Sequence, residues 1–324
     1  MAARAVILSD GKPGHVNQSI ALARGLGLDY KIVEISFPSR WSKGSTYVLD
    51  RLGVYSSGAF RRGTLPDTNV DLVIGAGSTT YYAVKTLAKR WQAKSVAILA
   101  PRGYRSTFTL EIAPTYDRPT AALHAVKTPV NLSWMSPEDV EEAIEAFPAS
   151  RSSVEAPIGV AIGGDSAASS LSPETVRGWL EQIVALFPER ERWVTTSRRT
   201  SPAVESVIRK FPFDYAHFFS ESVYNPTPVF WRLCDRVFVT ADSASMVSEA
   251  ASCGGAYLEV LRPSYRKPRN KFVALVDALV AIDAAHWFEG DVGSARSKVD
   301  LSAYFQNARA ILGLAADHGV EAKA

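Results

Sequence analysis

Short apolar runs alternate along this chain with longer stretches whose apolar positions recur at helical spacing, and that alternation predicts an α/β fold. Residues 5–8 are apolar throughout and read as a buried strand, and residues 18–25 read as the start of a helix. Residues 31–35 predict a second strand. Residues 71–74 predict a third, which leads through a glycine-rich turn into a helical pattern over 82–91; residues 95–100 predict a fourth. Strand, turn and helix repeating in this order imply parallel sheets joined by crossover helices.

The pattern pauses at the polar stretch 149–157 and then restarts. Residues 158–162 predict a strand ending in Gly163-Gly164, and residues 173–187 a helix with Ser172 as N-cap and Pro173 in its first turn. Further strands are predicted at 193–196, 236–240 and 256–260. The expected architecture is two Rossmann-like domains facing a central cleft. Residues 1–150 form the first and 151–300 the second, and the helical segment in 301–324 packs back on the first.

Composition narrows the function classes. The 324 residues are 47% hydrophobic and 21% charged, which supplies packed cores rather than a disordered chain. The net charge of +3, from 36 basic and 33 acidic residues, is too balanced for nucleic acid to be the main partner. Cys234 and Cys253 share no CxxC spacing, so neither a disulfide framework nor a zinc site is expected, and a reducing cytoplasm fits. The N-terminal residues lack the apolar core of a signal peptide. No window approaches the roughly 20 apolar residues of a membrane span. The expectation is a cytoplasmic protein, at most peripheral on the inner face of the membrane.

Candidate chemistry gathers at predicted strand ends, where open α/β sheets bind ligands. Ser9-Asp-Gly-Lys-Pro-Gly-His-Val-Asn-Gln-Ser19 follows the first strand. Gly11 and Gly14 permit close backbone approach, and the helix that follows offers free N–H groups. Histidine titrates near neutrality, so His15, or else Asp10, is the candidate base. A plain strand-to-helix turn with a solvated histidine is the alternative. Gly75-Ala-Gly-Ser-Thr-Thr-Tyr81 follows the third strand, and Gly77 and Ser78 could admit a ligand or simply form a tight turn. In the second half, Gly163, Gly164 and Ser166 could present amides to a pyrophosphate. Ser197, Arg198 and Arg199 close the next strand, and guanidinium groups suit phosphate, although a surface arginine pair is commonly only solvated.

The most informative segment is Val239-Thr-Ala-Asp-Ser-Ala-Ser-Met-Val-Ser-Glu-Ala-Ala251. Ser243 and Ser245 could cap a helix there and, with Met246, present amides to a phosphate. Glu249, about one helical turn further on, is placed to accept hydrogen bonds from ribose or sugar hydroxyls. An ordinary βα unit with a good N-cap explains the serines but not Glu249. Arg262-Pro-Ser-Tyr-Arg-Lys-Pro-Arg-Asn-Lys271 carries five basic residues and no acid, which suits a phosphate or a solvated loop. The stretch 39–62 interleaves Trp41, Tyr47, Tyr55 and Phe60 with Arg40, Lys43, Arg51, Arg61 and Arg62. Such a mixture suits an anionic membrane surface, or core packing with exposed arginines.

These segments, with Gly75-Ala-Gly-Ser78 and Thr196-Ser-Arg-Arg-Thr200, resemble the mitochondrial-fission ELM family over roughly residues 5–290. The resemblance implies a GT-B-like fold. Ser245-Met-Val-Ser-Glu249 is also similar to the donor-binding helix of GT-B transferases, in which a glutamate of this kind binds the donor's ribose or sugar. Glu221-Ser-Val-Tyr-Asn-Pro226 is a looser version of the family's Asn-Pro stretch, which makes Asn225 a site candidate. Gly163-Gly-Asp-Ser166 departs from the commoner Gly-Gly-Pro-Ser form at Asp165.

The expected function is a metal-independent glycosyltransferase with no cofactor and no metal site. Its substrate would be a nucleotide-diphosphate sugar and its acceptor an envelope lipid or lipopolysaccharide core, with an anionic membrane surface as a further partner. The rivals are a nucleotide-sugar epimerase or hydrolase, and a non-catalytic membrane-surface scaffold.

Overall fold

The continuous apolar runs become parallel strands, because a strand covered on both faces has no position at which a polar side chain reaches water. The computed structural model describes residues 3–66, 70–119, 124–148 and 155–314. The chain divides into two units, residues 1–134 with 300–324 and residues 135–299.

The first unit opens with β1 (Arg4–Ser9), α1 (Pro13–Gly25), β2 (Asp29–Ser36), α2 (Arg40–Leu52) and β3 (Arg61–Arg62). It continues with β4 (Leu72–Ala76), α3 (Tyr81–Trp91), β5 (Lys94–Ile98), β6 (Leu110–Pro114) and β7 (Ala125–Thr128). The sheet order is β3-β2-β1-β4-β5-β6-β7, parallel except for β3, which pairs antiparallel with β2. Strand order reverses direction between β1 and β4, whose register pairs Ala5 with Leu72 and Leu8 with Gly75.

The second unit begins with α4 (Pro137–Glu145), β8 (Ile158–Ile162), β9 (Ser169–Ser170), α5 (Pro173–Leu186), β10 (Arg192–Thr196) and α6 (Pro202–Ile208). There follow β11 (Tyr215–His217), α7 (Thr227–Leu233), β12 (Arg236–Thr240), α8 (Ala244–Ser252) and β13 (Tyr257–Leu261). It ends with β14 (Ser264–Tyr265), α9 (Lys271–Val280) and β15 (His286–Trp287). Its main sheet runs β11-β10-β8-β12-β13-β15, with its reversal between β8 and β12. β9 and β14 pair separately, tying the loop after β13 to the loop after β8. After the second unit the chain returns to the first as α10 (Ser302–Ile311). There the Phe305 ring fills the space a side chain at Gly25 would need, and Arg309 Nη2 donates to the Leu26 carbonyl at 2.5 Å.

Several elements were not legible as patterns. α1 begins at Pro13 rather than near residue 18, since proline supplies helical φ at a position whose N–H would be unpaired anyway. Gly14 and His15 therefore lie in its first turn and not in a loop. The stretch beginning at Ser39 holds a helix, α2, started by Ser39 Oγ accepting from Ser42 N and ended by Gly53 in the left-handed region. β6 escaped notice because buried Glu111 and a terminal proline interrupt its apolar run. The segment from α4 to Phe147 belongs to the second unit, where the Phe147 ring packs on Trp193 at 4.8 Å and Tyr215 at 4.5 Å. Most of the polar stretch 149–157 lies outside the described residues, as do residues 315 and beyond.

α2 is fixed to the first unit by Tyr47 and Leu49, which pack on its core, and by a buried charge. The Asp50 carboxylate is fully buried and accepts from Lys85 Nζ at 2.8 Å, Tyr55 Oη at 3.0 Å and Arg105 N at 2.7 Å. Burial lowers the Lys85 pKa, against the pull of Asp50. Removing one partner of a buried pair strands the other, at about 3–5 kcal/mol. Lys85→Met should therefore destabilise the protein by about 3 kcal/mol in urea unfolding. The double variant Lys85→Met/Asp50→Asn should recover part of that loss, because the stranded charge is gone.

Candidate functional site

Both reversals of strand order leave an opening at the C-terminal edge of the sheet, because the crossovers leave in opposite directions there. In the first unit, Asp10 follows β1 and Gly77 follows β4, the two strands flanking the reversal. His15, in the first turn of α1, places Nδ1 3.1 Å from both carboxylate oxygens of Asp10, whose side chain is buried. Lys12 Nζ stands 3.1 Å from Asp10 Oδ2. Burial pushes the Asp10 carboxyl up, but hydrogen bonding and charge from His15 and Lys12 prevail and hold it at about 2. A carboxylate fixed in this way holds the imidazole with its proton on Nδ1, which leaves Nε2 as an acceptor.

Gly77 has φ +81°, and a Cβ there would lie 2.4 Å from His15 Cε1. The glycine thus makes room for the histidine ring, where the sequence suggested room for a ligand. Ser78 Oγ and Thr79 Oγ1 accept from Lys43 Nζ of α2 at 3.1 and 3.3 Å. Lys43 in this position was not foreseen, since its approach to the turn depends on how α2 folds back. Gly11, with φ +76° and open space around its Cα, lies exposed beside the dyad. The Gly14 carbonyl accepts from Gln18 Nε2 at 2.9 Å.

In the second unit the same edge is organised by Asp242, just beyond β12. Its buried Oδ2 accepts from Gly164 N at 3.0 Å and from Arg199 Nη2 at 2.6 Å. Arg199 Nη1 also donates to the carbonyls of Gly164 and Asp165. The Arg199 guanidinium thus holds two strand ends together. Gly163 and Gly164 are glycines for the same reason. A Cβ on Gly163 would meet Asp242 Oδ1 at 2.2 Å, and one on Gly164 the Arg199 carbonyl oxygen at 1.9 Å. Asp242 Oδ1 has no hydrogen-bond partner among the described residues.

The remaining candidates divide into held and open groups. Ser166 Oγ accepts from Ala168 N and Ser169 N, and Ser197 Oγ accepts from Arg199 N, so both close local turns. Asn225 Oδ1 accepts from Thr227 N and Oγ1 at the start of α7. Arg198 is exposed, with no charged partner among the described residues. In the basic run after β13, Arg262 packs over the Trp287 ring at 3.6 Å and Arg266 N donates to the Ala168 carbonyl.

Ser243 is the N-cap of α8, its Oγ accepting from Met246 N at 3.4 Å, with Ser245 in the first turn. Glu249 follows on α8 and is partly buried. Burial pushes its carboxyl up to about 7, while the neighbouring Trp231 indole pulls the other way. The Trp231 N–H nonetheless stands outside good hydrogen-bond geometry. At neutral pH Glu249 thus spends part of its time as a neutral acid able to donate as well as accept. Among the described residues no group of three or more His, Cys, Asp or Glu side chains could hold a metal ion. No helix among them is long and apolar enough to cross a membrane.

Two of these groups make stability depend on pH in opposite directions. Asp10 titrates lower in the folded state than its ordinary 3.8, so its contribution is present above that value and fades as pH falls towards about 2. Asp10→Asn should cost about 2 kcal/mol near neutrality, and the difference from wild type should shrink in acid denaturation series below pH 3.8. Glu249 titrates higher in the folded state than its ordinary 4.5, so stability falls as pH rises from 4.5 through about 7. Melting temperatures of Glu249→Gln should lack that fall.

The fold has known counterparts. Over 97% of this chain and 96% of its own, the glycosyltransferase SnogD from Streptomyces nogalater superposes with a TM-score of 0.50 at 13% identity. Arabidopsis thaliana UGT89C1, complexed with UDP-L-rhamnose, superposes with a TM-score of 0.52 at 11% identity over 99% of this chain and 91% of its own. These likenesses show a GT-B-type fold. No curated protein matches the sequence. The model of the family described as mitochondrial fission ELM1 matches residues 13–313, nearly the whole chain, and the protein belongs to that family.

Proposed function

We propose that this protein is a metal-independent GT-B-type glycosyltransferase that moves a sugar from a nucleotide-diphosphate sugar to a cell-envelope lipid or glycan acceptor. The observation that carries the reading is the Asp10–His15 dyad, seated over Gly77 at the strand-order reversal of the first sheet. A base held by a buried, ionised carboxylate suits removal of a proton from an acceptor hydroxyl. His15 Nε2 takes that proton, the hydroxyl oxygen bonds to the anomeric carbon, and the bond from that carbon to the diphosphate oxygen breaks. The electron pair leaves with the nucleotide diphosphate.

In the second unit, the amides opening α8 at Ser243 and Ser245 meet the charge developing on that diphosphate, together with the exposed Arg198. Glu249 binds ribose or sugar hydroxyls, and its partly protonated carboxyl can both donate and accept. The Asp242–Arg199 pair keeps the Gly163-Gly164 turn in place and does not touch the donor. The UDP-L-rhamnose carried by the Arabidopsis protein of like fold supports a nucleotide-sugar donor. The reading places the reaction in the cytoplasm at the inner face of the envelope.

Nucleoside diphosphates should raise the melting temperature of the wild-type protein, by the equivalent of about 2.7 kcal/mol at a hundredfold excess over Kd. Arg198→Ala should weaken that effect about tenfold in Kd, the loss of one charge-assisted contact. His15→Ala should keep nucleotide binding and lose turnover. No shift with UDP, GDP, ADP or CMP would remove the donor site. Donor consumed without any acceptor would favour the epimerase or hydrolase chemistry instead.

A further inference from the structure

α2 packs Tyr47 and Leu49 on the core, yet leaves a second set of apolar side chains facing outward, which a helix on a globular surface ordinarily does not do. Trp41, Val48 and Leu52 recur at spacings of seven and four, which puts them on one side of the helix. They are 88%, 57% and 70% exposed. The opposite side carries buried Thr46 and Asp50, and Lys43. The inward polar groups are satisfied: Asp50 by Lys85, Tyr55 and the Arg105 amide, Thr46 by Tyr104, and Lys43 by Ser78 and Thr79. The helix is thus anchored by hydrogen bonds, an ion pair and the packing of Tyr47 and Leu49, while Trp41, Val48 and Leu52 stay exposed.

Charge around this face is mainly positive, with Glu34 of β2 the exposed acid beside Arg62. Between residues 37 and 66 the basic side chains are Arg40, Lys43, Arg51, Arg61 and Arg62, and the one acid is Asp50, which is buried and paired. Ser42 Oγ donates to the Ala59 carbonyl, which brings the chain leading to Arg61 and Arg62 alongside the start of α2. At the other end, Arg105 reaches Tyr55 Oη with its guanidinium near Gly53. Arg40, Arg51, Arg61, Arg62 and Arg105 are all exposed.

We propose that α2 is an interfacial helix that docks the first unit on an anionic lipid surface, with Trp41, Val48 and Leu52 entering the headgroup region and the arginines pairing with lipid phosphates. Exposed tryptophan and leucine on one face with a mainly cationic border is the composition by which helices lie in the plane of a membrane. A second copy of this chain is a poor occupant, since a symmetric contact would bring the two sets of arginines together. Lys43, on the inward face, touches the turn that carries Gly77 and Ser78, so docking would set the dyad of the proposed transferase beside the lipid surface from which an envelope acceptor comes. That consequence rests on the transferase reading; the docking itself does not.

The test uses the full chain without nucleotide or acceptor, and so separates failure of docking from failure of the donor site. Wild-type protein should float with phosphatidylcholine vesicles containing phosphatidylglycerol, bind vesicles of phosphatidylcholine alone far more weakly, and be released by raising salt. Trp41→Ser/Leu52→Ser should weaken binding about tenfold or more. Arg51→Glu should weaken it about fivefold or more. All these side chains are exposed, so melting temperatures should stay at the wild-type value, and a variant whose melting temperature falls is replaced by Trp41→Ser alone. Equal partitioning of wild type and variants, or no binding of wild type to anionic vesicles, overturns the proposal. So does a wild-type dimer in solution that Trp41→Ser/Leu52→Ser dissolves.

Discussion

Everything chemical in this protein depends on where strand order reverses. A parallel sheet with helices on both faces is closed along its length, since each crossover covers the strand ends beside it. Only where successive crossovers depart in opposite directions does the C-terminal edge stay open. The first sheet has that opening between β1 and β4, and the second between β8 and β12. The dyad and the Gly163-Gly164 turn stand at these two places, and neither could be brought to its partners from another strand pair.

At each opening a buried aspartate organises what lies around it. Asp10 holds His15, and Asp242 holds Arg199 and the Gly164 amide. Burying a carboxylate is costly unless donors surround it, so each aspartate fixes the positions of its neighbours closely. The glycines follow as consequences. Gly77, Gly163 and Gly164 lack side chains because a ring, a carboxylate and a backbone carbonyl already occupy that space. A third buried aspartate, Asp50, does comparable work away from the strand ends: it seats α2 so that Lys43 reaches the Ser78 turn while Trp41 and Leu52 face outward.

Much of this was legible in the sequence. The apolar runs at 5–8, 158–162 and 237–239 read as strands buried on both faces, and the glycines, hydroxyls and arginines at their ends were the candidates for a site. The ELM resemblance was carried by those same strand-end segments. The pairing of Asp10 with His15 lay within one short motif. Elements such as β7 and α7 left too weak a pattern, because a short edge strand and a short helix carry few positions in which a period can show.

The sequence by itself determined the local chemistry: parallel strands, a histidine near a carboxylate, and a capped helix at Ser243. Tertiary structure alone decided how those groups are spent. Arg198 and Arg199 are adjacent and identical in type, yet one is bound to Asp242 and the other faces solvent. α2 is an aromatic and basic stretch by composition, and only its packing shows that Tyr47, Leu49 and Asp50 face inward while Trp41, Val48 and Leu52 are exposed. The physical reason is the same in both cases. Hydrogen-bond partners and burial are set by residues dozens of positions away, and no local pattern records which of two similar side chains will meet them.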